Sequence, residues 1–160
     1  ALSIIDNAKL TLAGRCVAIL VDDGSDGAVI QALKTAAVAA GARVKIVAPR
    51  VGGAMLANGK KLPADGQLAG SPSVLFDAVA LVLSASAGEA LCREAAAVDF
   101  VRDAFGHLKA IAADAGAQAL LVAAGIEPDA GVMGTEDPKA FVDAACTRQW
   151  AREASVRMLA

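Results

Sequence analysis

Few side chains in this 160-residue chain are of types that do chemistry. The thiols are Cys16, Cys92 and Cys146. An odd number, widely spaced, suits neither a disulfide framework nor a Cys-x-x-Cys metal site. None has a histidine close by in sequence to draw off its proton. They read as small buried hydrophobes, with a redox-sensing Cys92 as the alternative. The one histidine, His107, stands at a strand entrance in GHLKAIAA. There it reads as a packing or hydrogen-bonding residue. Asp22, Asp23 and Asp26 form an acidic loop after the first apolar run. The reading adopted is a helix start, with Asp23 or Ser25 as cap and Asp26 favoured by the helix dipole. The alternative is a divalent cation held by the carboxylates. The same loop is neither Gly-x-Gly-x-x-Gly nor a P-loop with its lysine, and its charges repel phosphate. Ser84 and Ser86, in the run SASAG, are the other loop donors. Asp22, Asp23, Asp26, Ser84 and Ser86 are therefore the candidates for a pocket or an ion loop. Arg148, Arg152, Glu153 and Arg157 read as a solvated face or a subunit contact. Trp150 among them is the expected interface anchor.

The elements that must position these groups alternate in type. Residues 15–21 (RCVAILV) predict a strand, 27–40 a helix with Val29, Leu33, Ala36 and Ala40 on one face, and Gly41 its stop. Residues 43–48 predict a second strand. Uninterrupted apolar runs suit parallel strands buried on both faces. Residues 49–72 are rich in Gly and Pro, and Asn58-Gly59 is a hairpin turn signal. Short antiparallel strands are expected there. Residues 77–84 predict the third core strand, 88–105 a helix, 109–113 a fourth strand, and 131–133 a fifth. A helix to about Ala124 follows Asp114. Asp137-Pro138 opens a last helix that runs through Trp150 toward Ser155. The class is α/β: a three-layer sandwich on a mostly parallel five-stranded sheet of flavodoxin-like winding, with a small β-hairpin insertion. Residues 1–14 are expected to be a linker or leader, and 15–160 a single domain.

Composition narrows the function. The net charge is −2, so clustered basic residues for nucleic acid are lacking. Aromatics are 3%, too few for base-stacking platforms. About a quarter of the residues are Ala, which inflates the 56% hydrophobic content without adding large side chains. No run is long enough for a membrane span. No charged segment followed by an apolar one marks a secretory signal at the start. The opening Ala1 suggests a fragment or a processed product, and the unpaired cysteines suggest a cytoplasmic setting.

Five segments together resemble the C-terminal domain of large-subunit catalases. They are AGRCVAILVDDGSDG, AGARVKIVAPRVGG, SPSVLFDAVALVLS, FVRDAFGHLKAIAA and the closing RQWAREASV. The resemblance spans roughly residues 1–158. It implies a class I glutamine-amidotransferase-like fold, similar to intracellular cysteine proteases and flavodoxins. It also implies attachment to a haem-containing catalase core. Haem would belong to that core, and this chain would carry no cofactor. Independently, catalases hold haem iron through a tyrosine, and this chain has none.

Enzymes of the related fold place a nucleophilic Cys on a strand-to-helix elbow. The matching elbow here is Asp114-Ala115-Gly116, with Asp114 in the cysteine position. The acidic partner position on the first helix falls near Val29, which cannot hydrogen-bond a thiol. The elbow therefore reads as degenerate, and no residue is assigned a catalytic role. The resemblance implies a non-catalytic accessory domain that supports oligomer assembly and stability of a peroxide-dismutating parent. Its partners would be the catalase core and sister subunits, in a homotetramer. Two rival expectations are a chaperone-like holdase that takes unfolded client proteins, and a cysteine-type hydrolase or deglycase.

Overall fold

The computed structural model describes residues 11–159, with side chains to Val156. The strands are β1 (Cys16–Val21), β2 (Arg43–Ala48), β3 (Ala54–Met55), β4 (Lys61–Leu62), β5 (Gly66–Gln67), β6 (Ala78–Val82), β7 (Ala110–Ala113) and β8 (Val132–Met133). The α-helices are α1 (Gly27–Ala39), α2 (Ala85–Leu91), α3 (Ala95–Gly106), α4 (Gln118–Ala123), α5 (Pro138–Ala145) and α6 (Glu153–Leu159). Six strands form one sheet in the order β5-β2-β1-β6-β7-β8, and every pair in it is parallel. Without β5 this is the expected flavodoxin-like winding. The five-stranded expectation is corrected to six. The two residues Gly66–Gln67 lie parallel to Val47 and Ala48, so part of the expected antiparallel excursion joins the main sheet. The hairpin itself forms: β3 and β4 pair antiparallel. Gly59 in its turn has φ +85°, a conformation that costs glycine little.

Alternation along the strands divides the core into two layers. Cys16, Ala18 and Leu20 of β1 join Val79, Leu81, Ile111 and Ala113 beneath α2, α3 and α4. Val17, Ile19 and Val21 join Ala78, Ala80, Val82, Ala110 and Ala112 beneath α1 and α5. Side chains on neighbouring strand positions point to opposite faces, so each strand feeds both layers and must be apolar throughout. Phe100 anchors one layer and Phe141 the other, both essentially inaccessible.

The helices differ from their expected stripes in detail. On α1 the fully buried residues are Ile30, Leu33 and Ala37; of the expected face Leu33 is buried, and Val29, Ala36 and Ala40 are half-buried against the same layer. The helix ends where Gly41 takes φ +97° and the Ala42 N–H bonds back to the Ala37 carbonyl at 3.0 Å. That is the left-handed C-terminal cap for which glycine is suited. The expected 88–105 helix is two helices, α2 and α3, and the last helix breaks after Ala145. Trp150–Arg152 then form a 3₁₀ turn. Most of the expected leader, residues 1–10, lies outside the described residues. Leu12 within it is fully buried, and its N–H donates to the Ala40 carbonyl at 2.8 Å.

Candidate functional site

The acidic loop, the Ser84 loop and the Asp114 elbow follow β1, β6 and β7 and meet at the carboxyl end of the sheet. Doubly wound folds place ligands at that end. Most candidate side chains here bond backbone groups. Asp26 is the cap of α1, accepting from the Ala28 and Val29 N–H groups at 2.9 and 3.4 Å. The expectation that Asp23 or Ser25 caps is thus corrected. Ser25 is fully buried. Its hydroxyl donates to the Val82 carbonyl and accepts the Asp22 N–H at 3.0 Å. This ties the loop to the neighbouring strand β6.

Asp23 turns outward. One of its oxygens accepts the Met55 N–H at 2.9 Å, and the other pairs with Arg50. The Met55 N–H and the Arg50 guanidinium hold its carboxyl below the ordinary aspartate value. Arg50 also reaches Asp22 at 3.5 Å. Charge in the loop is therefore countered by an arginine of the chain itself. No set of three acidic, histidine or cysteine side chains among the described residues is arranged to hold a metal ion. Ser84 caps α2 by accepting the Ala87 N–H at 3.2 Å. Its hydroxyl lies 3.3 Å from both the Asp23 carbonyl and the Ser86 hydroxyl. Asp23, Ser84 and Ser86 are thus brought together, and Asp26 stands apart at its helix start.

Asp114 occupies the elbow in ordinary extended conformation, φ −82° and ψ −178°. Its carboxylate accepts the Leu83 N–H at 3.0 Å and the Ala117 N–H at 3.1 Å. The group bridges β6 to the elbow and caps the turn at Ala115–Ala117. Burial pushes its carboxyl pKa up. The two N–H donors oppose that shift without cancelling it, and Asp26 adds to it. Gly116 and Gly88 let backbones touch. A Cβ on Gly116 would lie 1.9 Å from the Leu83 carbonyl oxygen, and one on Gly88 1.9 Å from that of Gly116. Helix α2 therefore backs directly onto the elbow. Ala115, exposed, has no group to act as acid or base.

Cys16 and Cys146 are buried, and burial raises both thiol pKa values. The thiols of Cys92 and Cys146 donate within their own helical turns, to the Gly88 and Val142 carbonyls. Cys92 is half-buried. The His107 side chain is exposed, and its carbonyl accepts from Arg148 at 3.2 Å.

The residue that sequence reasoning misplaced is Arg152. It belongs to no solvated face: its side chain is 1% exposed. It grips Asp129 with two bonds, at 2.7 and 3.0 Å. It also donates to the Phe105 and Lys109 carbonyls at 3.1 and 2.8 Å. Its guanidinium carbon stands 4.1 Å from the Phe105 ring centroid. Burial alone would raise the Asp129 carboxyl. The Arg152 bonds and the Gly131 N–H outweigh it and hold the pKa below the ordinary value. No local signal in RQWARE announces this, because the partner lies 23 residues away. Trp150, two residues earlier, is 64% exposed.

Comparison with known proteins agrees with this picture of the fold. Residues 13–147 match the model of the C-terminal domain found in long catalases. The chain is 40% identical to Catalase C of Rhizobium meliloti (strain 1021), over 99% of this chain and 23% of that protein. It is 32% identical to Catalase HPII of Pseudomonas putida, over 89% of this chain and 20% of that protein. The chain thus spans about a fifth of the length of these relatives. Among solved structures, Toxoplasma gondii DJ-1 in oxidized form superposes with TM-score 0.67 at 13% identity, covering 91% of this chain and 97% of that one. A ThiJ/PfpI domain protein from Brachyspira murdochii gives 0.67 at 14%, covering 84% and 95%. Those likenesses establish a shared DJ-1/ThiJ/PfpI, flavodoxin-like fold. The match over most of the chain and the 40% identity establish the family: this chain belongs to the C-terminal domains of long catalases.

Proposed function

We propose that this chain is a non-catalytic accessory domain of a large-subunit catalase, and that it acts on assembly and stability. The observation that carries the proposal is the use made of Asp114. The position from which the related fold would launch a nucleophile holds a carboxylate bound to two backbone N–H groups. A carboxylate so engaged fastens one strand to the next element and has no orienting base. Peroxide dismutation would reside in the haem-bearing remainder of the parent. The donor set here is unsuited to that task, with no tyrosine in the chain and a single, exposed histidine. The domain would add packed surface to a homotetramer, and so slow subunit loss and unfolding.

The test compares the parent catalase with a version that ends just before Thr11 of this chain. The expected result is unchanged peroxide turnover per haem. Thermal inactivation should be faster, and subunits should dissociate at lower urea. A loss of turnover per haem in an intact oligomer would refute the accessory role. So would hydrolase, deglycase or peroxide-consuming activity of the purified chain at enzymatic rates.

A further inference from the structure

A second site stands at the opposite end of the sheet. Arg15, Asp77, Lys109, Ala145, Thr147 and Arg148 line a cleft of about 210 Å³ at the amino ends of β1, β6 and β7. Three segments remote in sequence each bring a cation to it, in a chain whose net charge is −2. Lys109 is 6% exposed. Its ammonium donates to the Ser73 carbonyl at 2.8 Å, its one hydrogen bond among the described residues. An ammonium has three N–H donors, so two are left over. The nearest acid of the cleft, Asp77, commits one oxygen to the Cys16 N–H at 2.8 Å and forms no ion pair with Lys109.

The two arginines are held at the rim by backbone carbonyls. Arg15 donates to those of Ala145 and Cys146 at 3.3 and 3.0 Å, and Arg148 to that of His107. Each uses one nitrogen for this, and a guanidinium carries five N–H donors. Three cations with unspent donors thus face one carboxylate, Asp77, whose second oxygen is the cleft's one free charged acceptor. Burial lowers the Lys109 pKa; Asp77 and Asp103 oppose that shift, and Arg148 adds to it. A buried cation in that position gains from a bound anion.

We propose that this cleft binds a small free oxyanion of the phosphate, sulfate or carboxylate type. Lys109 is its buried donor, and Arg15 and Arg148 close on it from the rim. The proposal is independent of the accessory role: it concerns other residues at the other end of the sheet.

The probe is inorganic phosphate, titrated into the ¹⁵N-labelled chain against sodium chloride at equal ionic strength. Sulfate and acetate are run as further arms to rank the oxyanions. Saturable amide shifts confined to residues around Lys109, Thr147 and Arg148 are expected. Arg148→Gln, at an exposed position, should weaken binding about tenfold, the usual worth of one hydrogen bond to a charged group. Lys109→Met should abolish it; if that variant does not fold, Arg148→Gln decides. Arg50→Gln, at the far end of the sheet, should leave binding unchanged. Shifts that never saturate, that chloride reproduces, or that Arg148→Gln leaves intact would overturn the proposal.

Discussion

Replacing Arg152 with Met tests the buried clamp most directly. Methionine keeps much of the apolar stem that packs in the site and removes four hydrogen bonds at once. The Lys109 carbonyl loses the Arg152 donor, the Phe105 carbonyl keeps the Leu108 N–H, and Asp129 loses its counter-charge. Breaking a buried pair from one side costs about 3–5 kcal/mol. The Asp129 side chain is 34% exposed, so water recovers part of its solvation and the low end applies, about 3 kcal/mol. For a chain of this size that lowers Tm by about 6–12 °C. Urea unfolding followed by circular dichroism gives the free energy, and Asp129→Asn with the double variant gives the coupling. The pH dependence supplies a second reading. The folded Asp129 pKa is depressed. Its contribution is therefore present above the unfolded value, about 3.9, and lost as pH falls through the folded one. Arg152→Met should remove that acid sensitivity. A Tm change under about 2 °C, or an unchanged acid profile, would show that the clamp is not what fastens residues 150–152 to the domain.

Asp114→Ala takes the side-chain acceptor from the Leu83 N–H and leaves the Ala117 N–H only the Asp114 carbonyl, and should cost about 2 kcal/mol, read by urea unfolding. Asp114→Asn keeps an acceptor and should stay within about 1 kcal/mol of the parent. The folded Asp114 pKa is raised, so its contribution is fully present below the unfolded value and lost as pH rises through the folded one. The stability gap between parent and Asp114→Asn should therefore shift in favour of Asn across that window. Gly116→Ala sets a Cβ 1.9 Å from the Leu83 carbonyl oxygen and should destabilise by about 3 kcal/mol or more, or prevent folding. Arg50→Gln releases Asp23 and should raise hydrogen exchange at Met55 and the hairpin while leaving the midpoint of global unfolding unmoved.

The parts of the fold that were legible were those where composition gives contrast. β1, β6 and β7 are buried along their whole length, and such strands must be written as apolar runs. Helix faces were less legible, because alanine fits both the buried and the exposed side. On α1, Ala37 is buried while Ala32 and Ala39 are exposed, and the pattern does not say which row faces the sheet. The sixth strand is two residues, Gly66–Gln67. Its pairing depends on β2 being adjacent, and nothing in its own side chains signals it. At the site, an aspartate at the strand-to-helix elbow was visible in the letters. The partner of that carboxylate was not, since the Leu83 N–H meets Asp114 only through the pairing of β6 with β7. Arg152 failed for the same reason, as its burial follows from Asp129 and two carbonyls supplied by other elements.

The two ends of the sheet differ in how completely their charges are used. At the carboxyl end Asp26 and Asp114 each accept from two backbone N–H groups, and Asp23 accepts from one while pairing with Arg50. An oxygen engaged in this way gains nothing by releasing its donor to a ligand, because the donor would then be left unsatisfied. At the amino end the balance runs the other way. Lys109 spends one donor of three, and Arg15 and Arg148 each spend a single nitrogen. An incoming acceptor there meets donors that no other group of the chain already holds. The Asp114 carboxylate is therefore already engaged by the Leu83 and Ala117 N–H groups at the elbow. Whatever small anionic ligand this domain takes should be met among Arg15, Lys109 and Arg148, and a phosphate titration that instead perturbed Asp23, Ser84 and Asp114 would reverse that assignment.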